Sequence, residues 1–242
     1  MTKFYIGNKK TEKYKGLLIK ADLGLHAQIA KILLKKMPPA GKLRVLDLGA
    51  GEGALSQRLS DLGYSVIAAD VSEDEFKCND IEFYKINFDS SQEINRLKQK
   101  YKNHFDVVMG IEVIEHVENP WEYVRSLKSM LKKNGLLLIT TPNTTSWLSR
   151  LYFLFKGQFW VFTDLNLEYG HIAPISPWEI KLILSREKIS DIEIHPGGTL
   201  PVIWLAPSKT VLILNFLALF FRPLMSGIKD GWCIIVTGFK SD

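Results

Sequence analysis

Val45-Leu-Asp-Leu-Gly-Ala-Gly-Glu-Gly53 is the stretch whose reading decides the fold. The apolar run from Leu43 to Leu48 carries Asp47 near its end, and glycines follow at 49, 51 and 53. Such a run reads as a buried strand that turns sharply into a helix starting near Ala54. Glycine is needed where the backbone enters conformations closed to other residues and where a ligand approaches without a Cβ in the way. The turn is therefore expected to hold a ligand.

Gly49-Ala-Gly51-Glu-Gly-Ala54 also fits the loose dinucleotide pattern G-x-G-x-x-G/A, a weak signal by itself. Asp47 points to a different ligand. A carboxylate facing the place where a dinucleotide puts its pyrophosphate disfavours an anion and favours a cation such as an ammonium or a sulfonium. S-adenosylmethionine carries both. A second apolar strand, Ser65-Val-Ile-Ala-Ala-Asp70, ends in a carboxylate about twenty residues after the glycines, where such folds accept hydrogen bonds from ribose hydroxyls. That carboxylate supports a nucleoside without choosing between NAD and a methyl donor.

Two further blocks follow in order, Phe105-Asp-Val-Val-Met-Gly-Ile-Glu-Val-Ile-Glu-His-Val-Glu-Asn-Pro120 and Asn134-Gly-Leu-Leu-Leu-Ile-Thr-Thr-Pro-Asn143. Together with the glycine loop and Asp70 they resemble the class I S-adenosylmethionine-dependent methyltransferases over roughly residues 40–195. The chain is most similar to the branch that includes the ubiquinone-biosynthesis O-methyltransferases and bacterial surface-glycan methyltransferases. The resemblance implies an α/β, Rossmann-like fold with a seven-stranded, mostly parallel sheet, helices on both faces and an antiparallel last strand. It implies S-adenosyl-L-methionine as cofactor, held by Asp47, Gly49, Ala50, Gly51, Gly53, Asp70, Val71, Asn87, Phe88, Gly110 and Ile111. Asn87 and Phe88 occupy the corner that holds the adenine in this family.

The alternation along the chain agrees with that fold. Strands are expected at 43–48, 65–70, 81–86, 105–110 and 135–141, with helices at 53–62, 91–102 and 120–132 and a short helical turn after 70, the rhythm of right-handed crossovers onto a parallel sheet. An amphipathic helix over 25–37 leads in, closed by Pro38-Pro39, and is expected to lie across the cleft, with Tyr14 or His26 near ligand. Ser176-Pro-Trp-Glu179 is a capping box opening a helix through Leu184. A strand near 191–195 and a last strand from Trp232 to Phe239 complete the series.

The chemistry is expected after the fourth strand, in Ile111-Glu-Val-Ile-Glu-His-Val117. His116 is the candidate general base, because an imidazole near its free pKa is poised at neutral pH, and Glu115 or Glu112 would orient it. An alternative is that His116 only lines the cleft. A further alternative is a hard divalent ion on Glu112, Glu115, His116 and His171, an arrangement similar to that of some relatives, including RNA 2′-O-methyltransferases.

At 242 residues, with 46% hydrophobic and 24% charged residues, the chain reads as one soluble globular domain over 1–242 and is not disordered. The formal charge of +5 is concentrated in a basic arm over 1–24, with Lys3, Lys9, Lys10, Lys13, Lys15 and Lys20, read as a solvated terminus. Cys78 and Cys233 have no ligand-like spacing, so neither zinc nor a disulfide is suggested, and the absence of a signal-like apolar run fits a cytoplasmic setting.

Two segments interrupt the alternation. Residues 144–175 show no clear period and crowd aromatic residues together; they are expected to form a lid, with Trp147, Tyr152 and His171 facing the acceptor. Residues 196–230 form an apolar insertion in which Val211 to Phe221 contains Asn215 as its one polar residue, too short to span a bilayer. A buried helix, a dimer interface and an interfacial helix at the inner membrane face all remain open there. The activity expected is O-methylation of an amphipathic or lipid-linked small acceptor such as a surface-glycan precursor. A quinone precursor, an RNA end and a non-catalytic scaffold are the alternatives, RNA being disfavoured by the apolar lid.

Overall fold

The computed structural model describes residues 4–6, 12–205 and 209–241. In chain order the elements are β1 (Phe4–Ile6), β2 (Glu12–Tyr14), β3 (Leu17–Ile19), α1 (Leu25–Lys36), β4 (Arg44–Leu48), α2 (Ala54–Asp61), β5 (Ser65–Asp70) and β6 (Glu82–Lys85). There follow α3 (Ser91–Lys100), β7 (Phe105–Ile111), a 3-10 turn (Ile114–His116), α4 (Pro120–Met130), β8 (Leu131–Pro142), α5 (Trp147–Lys156) and α6 (Asp164–Leu167). The chain ends with α7 (Pro177–Arg186), β9 (Ile189–Gly197), β10 (Ile203–Leu205), α8 (Lys209–Phe221) and β11 (Cys233–Lys240).

Seven strands form one sheet in the order β6-β5-β4-β7-β8-β11-β9. The first five run parallel, and β11 lies antiparallel to both β8 and β9. The expected mixed sheet with an antiparallel last strand is what is observed.

Both faces of the sheet are covered, which explains why its strands are near-continuous apolar runs. In β4, Val45 faces a cluster built from Leu25, Ile29 and Leu33 of α1 and Leu55 and Leu59 of α2. Its neighbours Leu46 and Leu48 face the opposite cluster, with Leu127 of α4 and Ile183 of α7. The two-residue period of a strand divides the core in this way. Helix starts follow local chemistry: Ser90, Asn119, Ser146 and Ser176 each accept a backbone N–H of the first turn, and prolines open α4 and α7.

Several expectations are corrected. The helix α4 stops at Met130, because Leu131 is drawn into pairing with Phe105. The stretch after Asp70 forms turns and bends without a helix. The basic arm is not simply solvated: β2 and β3 form a hairpin through Lys15-Gly16, both at positive φ, and it is clamped onto α2. Lys15 pairs with Asp61 at 2.7 Å, the Tyr14 hydroxyl donates to the same carboxylate, and Arg58 lies over the Tyr14 ring. Lys3, Lys9 and Lys10 lie outside the described residues.

The 144–175 segment is not a structureless loop, since it contains α5 and α6. The 196–230 insertion contains α8, which is not buried: Leu212, Ile213, Phe216, Leu219 and Phe220 are exposed and Ala218 is packed inward. No described helix is long and apolar enough to cross a membrane.

Candidate active site

The carboxyl ends of β4, β5 and β7 open on a cleft of about 1320 Å³. It lies where strand order reverses between β4 and β7, the position at which open α/β sheets bind ligands.

One end of the cleft is made by the glycine loop. Gly49 has φ +77°, and a Cβ there would meet Val113 Cγ2 at 2.3 Å, so the loop can approach β7 only as glycine. At Gly51 a Cβ would meet nothing within 4 Å, and the residue lines the cleft. Its N–H donates to Asp70 Oδ2 at 2.8 Å, while Ser72 N–H donates to Asp70 Oδ1 at 3.2 Å. The end of β5 is thereby tied to the loop with its carboxylate at the cleft.

Asp47 is buried below this loop, and its Oδ2 accepts the Ser56 hydroxyl at 2.6 Å. Burial pushes its pKa up to about 6; the Ser56 hydrogen bond opposes the rise and the Asp70 charge adds to it. Such a carboxylate gains from any cationic ligand that reaches it.

Ala50, Val71, Asn87, Phe88 and Ile111 line the same cleft. The Asn87 side-chain carbonyl accepts Asp89 N–H at 3.0 Å, and Phe88 meets Tyr123 edge-on. Gly53 and Gly110 do not reach it. Gly53 starts α2 with its Cα against Phe76 and Cys78, and Gly110 makes room for the Tyr123 hydroxyl, which a Cβ would meet at 2.2 Å.

The other end carries the expected titratable cluster. Glu112 has φ +55°, a strained value for a non-glycine residue. It is held there by Thr140, whose hydroxyl accepts the Glu112 N–H at 3.0 Å and donates to its carboxylate at 2.8 Å. Glu115 is fully buried, and neither of its carboxylate oxygens has a hydrogen-bond partner among the described residues. Burial, then the Glu112 charge, holds its pKa well above the usual carboxylate range. Thr141 is near enough to oppose that rise, yet its hydroxyl does not meet hydrogen-bond geometry.

His116 and His171 meet edge-on, with ring centroids 4.9 Å apart. The approach is fixed by backbone: Ile172 and Ala173 N–H both donate to the Glu115 carbonyl, at 2.9 and 3.0 Å. His171 Nδ1 lies 2.9 Å from the Val161 carbonyl, which can only accept, so Nδ1 carries a proton. Burial, then the His171 charge, lowers the His116 pKa, so the imidazole is neutral at neutral pH. One ligand atom from each of Glu115, His116 and His171 lies within 4.8 Å of the others. Glu112 stands outside that triad.

Two of the expected acceptor residues lie elsewhere. Trp147 is wholly buried in a cluster with Leu148, Leu151 and Ala218, and Tyr152 packs edge-on against Trp160 without lining the cleft. The aromatic wall is instead Trp160, Tyr169 and Trp232. Sequence reasoning also missed Glu52, which accepts the Leu18 N–H at 2.8 Å and pairs with Lys77 at 2.5 Å, so that the N-terminal hairpin closes one side of the cleft. Tyr14 does not reach the cleft, but His26 does. Its Nδ1 has no partner among the described residues, and burial followed by the Arg58 charge lowers its pKa to about 4.

Comparison with known proteins matches this architecture. Residues 21–187 match the model of the methyltransferase domain family. A ubiquinone biosynthesis O-methyltransferase of Parvibaculum lavamentivorans is 34% identical over 127 residues, covering 52% of this chain and 47% of that protein. The chain thus spans about half the length of the curated relatives it matches. A SAM-dependent methyltransferase from Archaeoglobus fulgidus superposes with a TM-score of 0.61 at 22% identity, over 89% of this chain and 94% of that one. A Haemonchus contortus phosphoethanolamine N-methyltransferase, solved with S-adenosylhomocysteine, gives 0.56 at 16% identity, over 89% and 53%. With the model matched over more than half of its length, the chain belongs to the methyltransferase domain family.

Proposed function

We propose that the chain, acting as a single domain over 1–242, is an S-adenosylmethionine-dependent methyltransferase that methylates an oxygen of an amphipathic or lipid-linked acceptor such as a surface-glycan precursor. The observation that carries this reading is one cleft with a buried cation-seeking carboxylate, Asp47, and the ribose-type carboxylate Asp70 at one end, and a cluster of buried Glu115 with half-buried His116 and His171 at the other.

The residues present fit the donor. Gly49 and Gly51 leave the loop open to a nucleoside, and Asp47 is a partner for the donor's cationic groups. Asp70 keeps oxygen lone pairs for ribose hydroxyls. Ala50, Val71, Asn87, Phe88 and Ile111 would enclose the base and sugar, with Gly53 and Gly110 supporting from behind. When bound, S-adenosylmethionine supplies a methyl carbon already activated by the sulfonium. What the chain adds is alignment of the acceptor oxygen with that carbon and a place for its proton. His116, held neutral, takes the proton from the acceptor hydroxyl; His171 packs against its ring and is kept there by the Glu115 backbone carbonyl, which accepts from Ile172 and Ala173. Trp160, Tyr169 and Trp232 offer the acceptor an apolar, stacking wall.

A second reading is supported by the orphaned carboxylate of Glu115. A divalent ion would be held by Glu115, His116 and His171, and the His171 proton already committed to Val161 is the support that metal-binding imidazoles usually have. It would supply a Lewis acid for an acceptor with two neighbouring oxygens. The relatives named ubiquinone biosynthesis O-methyltransferase favour a quinone precursor in that case.

An RNA acceptor is disfavoured. Among the described residues, eight acidic side chains and one lysine line the cleft, and that lysine, Lys20, is paired with Glu75, so a polyanion would be repelled. The intact carboxylates argue equally against a non-catalytic scaffold. The test is turnover with lipid-linked sugar and phenolic acceptors, with and without magnesium. Methyl transfer to neither, despite donor binding, would overturn the acceptor reading.

A further inference from the structure

α8 carries an almost unbroken apolar surface. Leu212, Phe216 and Phe220 are 70, 69 and 62% exposed, and Ile213 and Leu219 are exposed beside them. α5 ends in Phe153, Leu154 and Phe155, all exposed. The two helices pack on one another through Leu148, Leu151 and Ala218, in a cluster that also holds Trp160 and Trp232. Those two tryptophans are wall residues of the cleft. The exposed apolar helices are thus the outer side of a layer whose inner side is the aromatic end of the active site.

We propose that the exposed faces of α5 and α8 dock the protein in the plane of an anionic lipid bilayer, so that an acceptor reaches the cleft from that surface. The docking stands on its own observations, and only its purpose, acceptor delivery, rests on the function proposed above.

The charge pattern selects this occupant. Residues 143–163 and 197–229 contain no aspartate or glutamate, but they contain Arg150, Lys156, Lys209, Arg222 and Lys229. The nearest acids along the chain, Asp164, Glu193 and Asp230, fall outside both stretches; Glu193 is taken up by Lys36 at 2.7 Å and Asp230 by Arg222 at 2.6 Å. A strongly apolar face bordered by basic residues matches acyl chains beneath anionic headgroups. A second copy of the chain matches it poorly. An antiparallel pairing of two α8 helices would offer Lys209 of either copy no acid partner, because Asp230, beside the Arg222 end, is already paired with Arg222. With 13 residues, α8 spans roughly 20 Å, enough to lie in the interface and too short to cross the hydrocarbon.

The experiment is co-sedimentation of the full chain with vesicles of phosphatidylcholine alone and of phosphatidylcholine mixed with phosphatidylglycerol. It is repeated on Leu212→Asp/Phe216→Asp/Phe220→Asp, with circular dichroism to verify folding, S-adenosylhomocysteine binding, and light scattering for mass. The expected result is partition onto the anionic vesicles, weakened at least ~10-fold by the triple variant and by high salt, with donor binding unchanged. Should the triple variant not fold, Lys156→Glu/Lys209→Glu replaces it and is expected to lose the preference for anionic vesicles. Failure to sediment with either vesicle, variant binding equal to wild type, or a dimer that the substitution converts to monomer would each overturn the proposal. Vesicle binding without S-adenosylhomocysteine binding would leave the docking intact and remove the methyltransferase reading.

Discussion

Replacing Asp47 by Asn separates the stability of the fold from the function of the site. In the folded chain burial holds this carboxyl at about 6, against an ordinary 3.8. The charged form is therefore disfavoured by about 3 kcal/mol at neutral pH. The sign follows from linkage. Because the folded pKa lies above the unfolded one, the stability associated with Asp47 is fully present below about 4 and is lost as pH rises through about 6. Asn at this position keeps the shape and a partner for the Ser56 hydroxyl, but carries no charge to bury. We expect Asp47→Asn to be more stable than wild type at pH 8 by up to about 3 kcal/mol, a rise in Tm of roughly 6–12 °C for a chain of this size. The gap should shrink by about half at pH 5, where Asp47 of the folded chain is already largely protonated. Urea denaturation of both proteins at the two pH values measures it. Donor binding should move the opposite way, weakening by about 10-fold or more through loss of a charge-assisted contact. A variant no more stable than wild type at pH 8, or a gap independent of pH, would refute the burial argument.

His116→Ala should lose turnover while keeping S-adenosylhomocysteine affinity, and full activity would remove the base assignment. Because burial lowers the His116 pKa, the neutral base persists as pH falls, and kcat should hold to a pH below the ordinary histidine value before it declines; a pH–rate profile checks this. Trp147→Ala should destabilise the fold by about 3–5 kcal/mol in chemical denaturation, as expected for a fully buried aromatic. Any effect on acceptor KM should be secondary, and a KM change in a variant of unaltered stability would return Trp147 to the cleft.

How much was legible in the sequence depended on how local the cause was. An apolar run, a carboxylate and glycines at alternate positions determine a strand, a turn and a helix start through short-range sterics, so β4, β5 and the loop between them could be read directly. Glu115 and His116 were legible as a cluster because they adjoin in sequence. His171 reaches them only through the hydrogen bonds of residues 172 and 173 to the Glu115 carbonyl, a long-range contact that the resemblance suggested and no spacing revealed. Gly110 was misplaced because a glycine at a strand end does not declare its face. The two-residue period of β7 turns Met109 and Ile111 to one cluster and Gly110 to the other, against Tyr123.

The aromatic segment was harder still. A helix that buries Trp147, Leu148 and Leu151 and exposes Phe153, Leu154 and Phe155 carries large apolar residues on both sides, so composition does not say which of them face inward. Its serine cap, Ser146, was the signal available. The N-terminal hairpin was hidden by its turn, since Lys15-Gly16 takes two positive φ values where Asn-Gly is the usual sign.

The measurement that bears most directly on the account is titration calorimetry of S-adenosylhomocysteine into metal-free wild type and Asp70→Ala, repeated with magnesium and manganese. The account predicts saturable one-to-one binding to wild type without metal, clearly weakened in Asp70→Ala while the fold is retained. A separate metal isotherm abolished by Glu115→Ala would select the metal-assisted variant. Absence of any binding at millimolar ligand, or unchanged affinity in Asp70→Ala, would contradict the assignment of the glycine loop and β5 as the donor site.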